Sequence, residues 1–350
     1  MKIAKKILIW VCIALMIQIP IYYLADRYIM VKEDIRIYSK NMKVAEEKND
    51  RKINLPITGD WKNINMSYNG KYLSYTQGKS LIVQNIDNNE RNEVPFKEGE
   101  QLAYHTWIPE RERMIIIEKN QKGKEAVFSI NYYDAVNKEK IRVKDISHEK
   151  SDSYIQDVEV SLITGIIYIN IVSKGDRSSL YRIDISENIL AIDTKNYFID
   201  KLSLVSSKDR LLYEDKLYDK VFYLDFPSSD SNEIKIDDEE DITLLGCDKI
   251  GIVYIGVLED GKVSAIYSSK GEQNLKSWKK DKLSKPVDES SIYINNKGGF
   301  YIVDKAENNI EFRNNRVEIR YNITGEFLGF YNEGYIYRDI DNTLKNEIIK

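Results

Sequence analysis

Histidine, cysteine and proline are scarce in this sequence, with two, two and six copies among 350 residues. His105 and His148 stand alone, so metal clusters or acid/base dyads built on imidazole have little material. Cys12 and Cys247 are too far apart in sequence to suggest a disulfide framework or a thiolate metal site. With only 17 glycines the chain is neither collagen-like nor a low-complexity polymer. It also lacks an excess of positive charge. Lys and Arg number 52 against 56 Asp and Glu, a net charge of −4, which argues against a general nucleic-acid binder. No G-x-S-x-G nucleophile elbow occurs either. What is present is a 42% hydrophobic, 31% charged chain with 25 tyrosines, a composition that folds.

The one long uncharged run lies at the start. Lys2, Lys5 and Lys6 precede residues 7–25, which carry no charge and include Trp10 and the Tyr22–Tyr23 pair toward the ends. At a helical rise of about 1.5 Å per residue this run is long enough to cross a bilayer, with its aromatics at the interfaces. A cleaved signal peptide fits less well, because Tyr23 sits two places before Ala25 where a small residue is needed. Bulky Val11 before Cys12 argues against a lipoprotein signal. The reading is a cytoplasmic tail over residues 1–6 and a transmembrane signal anchor over 7–25. The rest of a single-pass protein then lies outside the cell membrane. Removing the +3 of the first 25 residues leaves about −7 on the remainder. Residues 26–50 mix charges of both signs without Gly or Pro and read as a juxtamembrane stalk.

From residue 51 onward, apolar runs of four to eight residues rich in Ile, Val and Tyr alternate with Asn, Asp, Gly, Ser and Lys, which is strand punctuation. Seven runs recur, beginning at Tyr72, Met114, Ile166, Leu211, Ile250, Phe300 and Tyr335, with steps of 42, 52, 45, 39, 50 and 35 residues. A period of about 44 holds four strands and their turns, one propeller blade. The runs after Ser80, Ser179, Asp219 and Lys262 read as following meander strands. Weak helical patterning shows only around residues 272–283. Residues 51–350 are therefore expected to form an all-β, seven-bladed β-propeller of four-stranded antiparallel blades. Six blades with extra terminal strands is the alternative, because the last step is short. A strand within Lys52–Ile57 is expected to complete the last blade and close the ring.

Ser67-Tyr68-Asn69-Gly70-Lys71 followed by Tyr72-Leu73-Ser74-Tyr75 resembles the blade turn and strand of the TolB and dipeptidyl-peptidase IV N-terminal propellers. Residues 107–114 and 206–213 are poorer copies, and residues 299–328 are similar to a repeat of the NHL type. The resemblance implies a propeller without the hydrolase domain of the peptidases, and it concerns fold alone.

Candidate chemistry is sparse. The run Asp237–Asp241 lacks the spacing of a calcium loop and reads as a solvated connection. Asp304 and Asn308 do not match a propeller-lactonase ligand set and read as turn formers. Lys276, Lys279, Lys280 and Lys282, with Lys285, surround Trp278 and form a candidate patch for anionic lipid, cell-wall polymer or an acidic partner. The competing reading is an exposed loop whose Trp packs on its own blade. No catalytic, cofactor or metal residues are expected. The function expected is a non-enzymatic, membrane-anchored binding or scaffold module for a protein or cell-envelope ligand. The alternatives are a channel-mouth hydrolase or lyase acting on peptide or glycan, and a sensor subunit of a membrane complex.

Overall fold

A computed structural model describes Trp10, Met16, Gln18 and residues 51–349, apart from 162, 195, 229, 237, 238, 272–274, 276, 315 and 316. Most of the anchor, and all of the tail before it and the stalk after it, thus lie outside the described residues. Among the described residues, no helix is long and apolar enough to cross a membrane. The chain divides into Met1–Asn49 and Asp50–Lys350.

In the second unit the described strands form seven four-stranded antiparallel sheets. Blades 1 to 6 begin with Trp61–Met66, Glu100–Trp107, Tyr154–Ser161, Ile199–Val205, Ile242–Cys247 and Ile292–Ile294, and blade 7 with Glu326–Tyr331. From blade 7 through blade 1 to blade 6, these first strands contact one another in succession around the axis. All seven apolar runs of the sequence are second strands: Tyr72–Gln77, Arg113–Lys122, Ile166–Ser173, Arg210–Asp215, Ile252–Glu259, Phe300–Asp304 and Gly334–Arg338. A second strand has a blade against each face, so it need not alternate. Every residue of Ile166–Ser173 and of Arg210–Asp215 is buried. The fourth strand of blade 2, Glu139–Lys150, is mostly exposed and carries Lys and Glu, which blunt an open edge.

The core is divided into seven apolar layers, each between two neighbouring blades. The layer between blades 7 and 1 needs the N-terminal residues Ile53, Leu55 and Ile57. Strand Asn54–Pro56 pairs with Thr343–Ile348 in the register Asn54↔Lys345, Leu55↔Leu344 and Pro56↔Thr343. Two asparagines clasp the junction: Asn342 Nδ2 donates to the Ile57 carbonyl and Asn346 Nδ2 to the Arg51 carbonyl, both at 2.9 Å. The expected closure is thus present, and the count is seven. Uneven steps follow from strand length. Blade 2 has strands of ten, ten and twelve residues after its first, whereas the corresponding strands of blade 6 have five each.

One expectation is corrected. Where the weak helical pattern at 272–283 overlaps it, over residues 279–283, the chain forms the fourth strand of blade 5, Lys279–Val287, because that sheet edge supplies backbone partners, while residues 272–274 and 276 lie outside the described residues. Close packing also fixes a glycine. A Cβ at Gly334 would lie 1.9 Å from the Glu347 carbonyl oxygen, so Gly334→Ala must force blade 7 apart. We expect a loss of about 2–3 kcal/mol in urea unfolding, against about 1 for Gly123→Ala, whose added Cβ meets nothing and whose cost is only that of φ +66°. Equal small effects would contradict this packing.

Candidate binding face

Antiparallel order places the turns after first and third strands of every blade on one rim of the ring, and the turns after second strands on the other. The first rim carries the more elaborate surface. Its turn in blade 1 is built by short side chains: Asn69 Oδ1 accepts from Ser67 Oγ at 3.0 Å and from the Lys71 amide at 3.1 Å. Ser67 Oγ in turn accepts the Tyr72 amide at 2.9 Å, and Gly70 supplies φ +66°. Tyr68 is thereby held at the channel mouth.

Opposite it, in blade 5, Asp248 organises a second turn. Its Oδ1 accepts the Ile252 amide at 2.8 Å and its Oδ2 the Tyr254 hydroxyl at 3.0 Å. The next residue, Lys249, reaches across the ring. Its Nζ lies 2.8 Å from Glu110 Oε1 of blade 2 and 4.2 Å from the centre of the Tyr68 ring of blade 1. Coulomb attraction and a cation–π contact thus hold a strap over the mouth.

Two cavities share Pro109 and Asn296 beneath this strap. The larger, 450 Å³, is lined by half-buried Tyr68, Tyr293, Phe330 and Tyr331 beside Trp107. Phe330 stacks on Tyr301 at 4.4 Å and meets Tyr293 edge-on at 5.1 Å, so the wall is rigid. The smaller, 210 Å³, is lined by Glu159, Cys247, Asp248 and Lys249. Burial raises the Glu159 carboxyl well above its ordinary range, and nearby Asp157 raises it further. Asp157 is itself raised by burial, though the amides of Leu202 and Val158 bond its carboxylate. Burial, followed by Asp248 and Glu159, also pushes the Cys247 thiol up, so at neutral pH it is a thiol and a poor nucleophile. In a Cys12→Ser background, Lys249→Ala should speed maleimide labelling of Cys247 roughly tenfold by removing the strap, since reactivity follows access as well as pKa. An unchanged rate would show that Lys249 does not guard the cavity.

Farther out on this rim, a 720 Å³ groove runs between blades 5 and 6, lined by Trp278, Lys270, Lys279 and Lys297 with Asp281 and Phe300. This is where part of the lysine patch falls. Trp278 is half-buried on the core layer between blades 4 and 5, and its Nε1 donates to the Leu275 carbonyl at 3.2 Å. Lys279 lines the groove, whereas Lys280 turns to Glu239 at 2.9 Å and lies over the Tyr267 ring. Lys282 shares the Lys280 side of the strand by alternation. Lys276 lies outside the described residues, and Lys285 pairs with Asp304 at 2.7 Å. The patch is therefore split over two sides of one strand, because successive strand residues point apart.

The other candidates are also placed. Of the acidic run, Asp237 and Asp238 lie outside the described residues, while Glu239 accepts from Tyr267 and Lys280. Among the described residues no group of three His, Cys, Asp or Glu is arranged to hold a metal ion. Asp304 Oδ1 caps its own turn at the amides of Ala306 and Glu307, and Asn308 takes φ +51°, as turn formers do. Sequence reasoning missed Lys249, Glu110 and the aromatic wall. Tyr68 and Lys249 are 181 positions apart, and no local signal announces a contact that exists only once the ring has closed.

No protein-family model matches the chain, and no curated protein matches it. Solved structures do. A chain from the crystal structure of a mitotic checkpoint complex is 12% identical with a TM-score of 0.54, covering 86% of this chain and 95% of that one. A chain from YCF48 bound to D1 peptide is 10% identical with a TM-score of 0.50, covering 85% and 96%. A prolyl endopeptidase structure is 15% identical with a TM-score of 0.55, and the match spans 75% of this chain but 42% of that one. At these identities the likeness establishes the fold: a seven-bladed β-propeller.

Proposed function

We propose that the propeller is a recognition module that presents its first-turn rim to a protein or cell-envelope partner, held at a membrane through residues 7–25. The observation that supports this reading is the channel mouth, where half-buried aromatics line a 450 Å³ cavity beneath the Lys249 strap. Tyrosines fixed on a rigid frame supply contact area at small entropic cost, which suits them to partner recognition. The neighbouring YCF48 structure is described as peptide-bound, a use of the same fold that agrees with this reading. Membrane attachment rests on the length and flanks of residues 7–25, and kinship with the TolB and dipeptidyl-peptidase propellers rests on the Ser67–Lys71 turn.

The test is capture from detergent-solubilised cells with the tagged full chain. Tyr68→Ala combined with Phe330→Ala should reduce recovery of the specific partner about tenfold or more. Lys124→Ala, in an exposed turn on the opposite rim, should leave it unchanged. Recovery insensitive to the mouth residues would remove the reading.

A second reading is supported by Glu159. A carboxyl whose hold on its proton is raised in a cavity has the character of a general acid for a channel-mouth hydrolase or lyase. It predicts turnover of a peptide or glycan that Glu159→Gln abolishes while partner capture persists.

A further inference from the structure

The opposite rim holds a different kind of site. The first strands of blades 1 and 2 each carry a one-residue bulge, between Lys62 and Asn65 and between Leu102 and Tyr104. Asn63, in the first of these, takes φ +50°. Bulges re-aim side chains. In blade 2 the extra residue restores Glu100 and His105, five positions apart, to one side of the strand. They pair with Asn120 and Ile116 of the second strand, and Leu102 between them pairs with Glu118. Trp107 lies on this same side and donates to Ser74 Oγ of blade 1 at 3.0 Å, so the side faces blade 1. Between the two bulged strands lies a cavity of 830 Å³ lined by both Glu100 and His105.

Both side chains are more than nine-tenths buried: His105 is 9% exposed and the Glu100 side chain 6%. His105 Nε2 and Glu100 Oε2 are nonetheless without a hydrogen-bond partner among the described residues. The imidazole also meets the Asn63 backbone carbonyl, and in the tautomer that gives this carbonyl its proton from Nδ1, Nε2 is an acceptor. Glu100 uses its other oxygen toward Arg142 at 3.5 Å, and its carboxyl also meets that of buried Glu118, which Lys140 pairs from the far side. Two buried acceptors in one cavity call for a ligand that brings two donors, since unmet acceptors are costly. The remaining wall is of a matching kind. Asn65, Thr76 and Gln101 offer further polar groups, and half-buried Phe96 an apolar face.

We propose that the cavity between blades 1 and 2 is a carbohydrate subsite, in which sugar hydroxyls donate to His105 Nε2 and Glu100 Oε2 while a ring face lies against Phe96. Hydroxyls spread around a sugar supply donors at separate points of the wall, and its ring supplies an apolar face. A phosphate or carboxylate would bring acceptors to acceptors. The volume lies within the range that holds a small ligand.

The chain has two histidines, so the imidazole nitrogens can be read directly in a nitrogen-15 spectrum of the labelled protein. His148→Gln assigns them. The probes are methyl glucoside, N-acetylglucosamine, methylammonium and inorganic phosphate, each titrated at pH 7 into the full chain in detergent. The expected result is a saturable shift of His105 Nε2 with at least one of the sugars and with neither ion. Binding should weaken about tenfold in Glu100→Gln, the loss of one good hydrogen bond to a charged group. Thermal melts of Glu100→Gln establish that it is folded, and the titration of the unaltered chain stands without it. A response to methylammonium or phosphate alone, or to none of the four, would overturn the proposal.

Discussion

Leu55→Asp should unfold the ring. Leu55 is 6% exposed and pairs with fully buried Leu344, in the layer that also holds Trp61, Leu73, Tyr75 and Ile336. Truncating such a leucine costs about 2–5 kcal/mol, and a carboxylate in the same place adds the cost of burying an unpaired charge. A domain has about 5–15 kcal/mol in all, so urea unfolding should lose cooperativity or drop by at least about 4 kcal/mol. Asn54→Asp is the control. It puts the same charge on the exposed side of the same strand and should change stability by less than about 0.5 kcal/mol. If the two substitutions behave alike, the N-terminal strand does not close the ring.

Acid should destabilise the protein through His105 well before most carboxylates titrate. Burial lowers this imidazole from its ordinary value of 6.5 to about 4, partly offset by the Asn63 carbonyl. The unfolded chain therefore takes up a proton near pH 6.5 that the folded chain accepts only near pH 4. Above 6.5 the group contributes no pH dependence. Between 6.5 and 4 stability falls with each step down, by about 3 kcal/mol in total at about 1.4 kcal/mol per pH unit. Asp157 and Glu159 act in the opposite sense, because acids raised in the folded state bind their protons there first and add stability as pH falls. The comparison that isolates His105 is the unfolding free energy of the chain minus that of His105→Gln across pH 7 to 4. A decline of about 3 kcal/mol in that difference is expected. Parallel curves would contradict the assignment.

The legibility of this fold follows from where its constraints lie. Second strands such as Ile166–Ser173 are covered on both sides, so they read as uninterrupted apolar runs and mark the blades by themselves. Closure was legible because a propeller leaves an edge at each terminus, and residues 52–57 had the composition of a strand. First strands were harder to read. Six of the seven carry a one-residue bulge, which breaks the alternation that identifies a strand face. His105 shows the consequence: in the sequence it is an isolated histidine, and only the bulge at Leu102/Tyr104 sets it on the same side of the strand as Glu100. The lysine patch failed as a unit for a similar reason, since its charge run lies along a strand and is divided between two sides.

The central claim is that recognition belongs to the rim of the first turns, and photo-crosslinking resolved by face tests it most directly. A photoreactive residue would be placed singly at Tyr68, Phe330, Lys79 and Asp260 in the full chain in cells, with products identified by mass spectrometry. The first two stand at the strapped mouth and the last two in turns after second strands. We predict one recurrent partner crosslinked from Tyr68 and Phe330 and absent from Lys79 and Asp260. Crosslinking from Lys79 and Asp260 alone, or equally from all four, would contradict it.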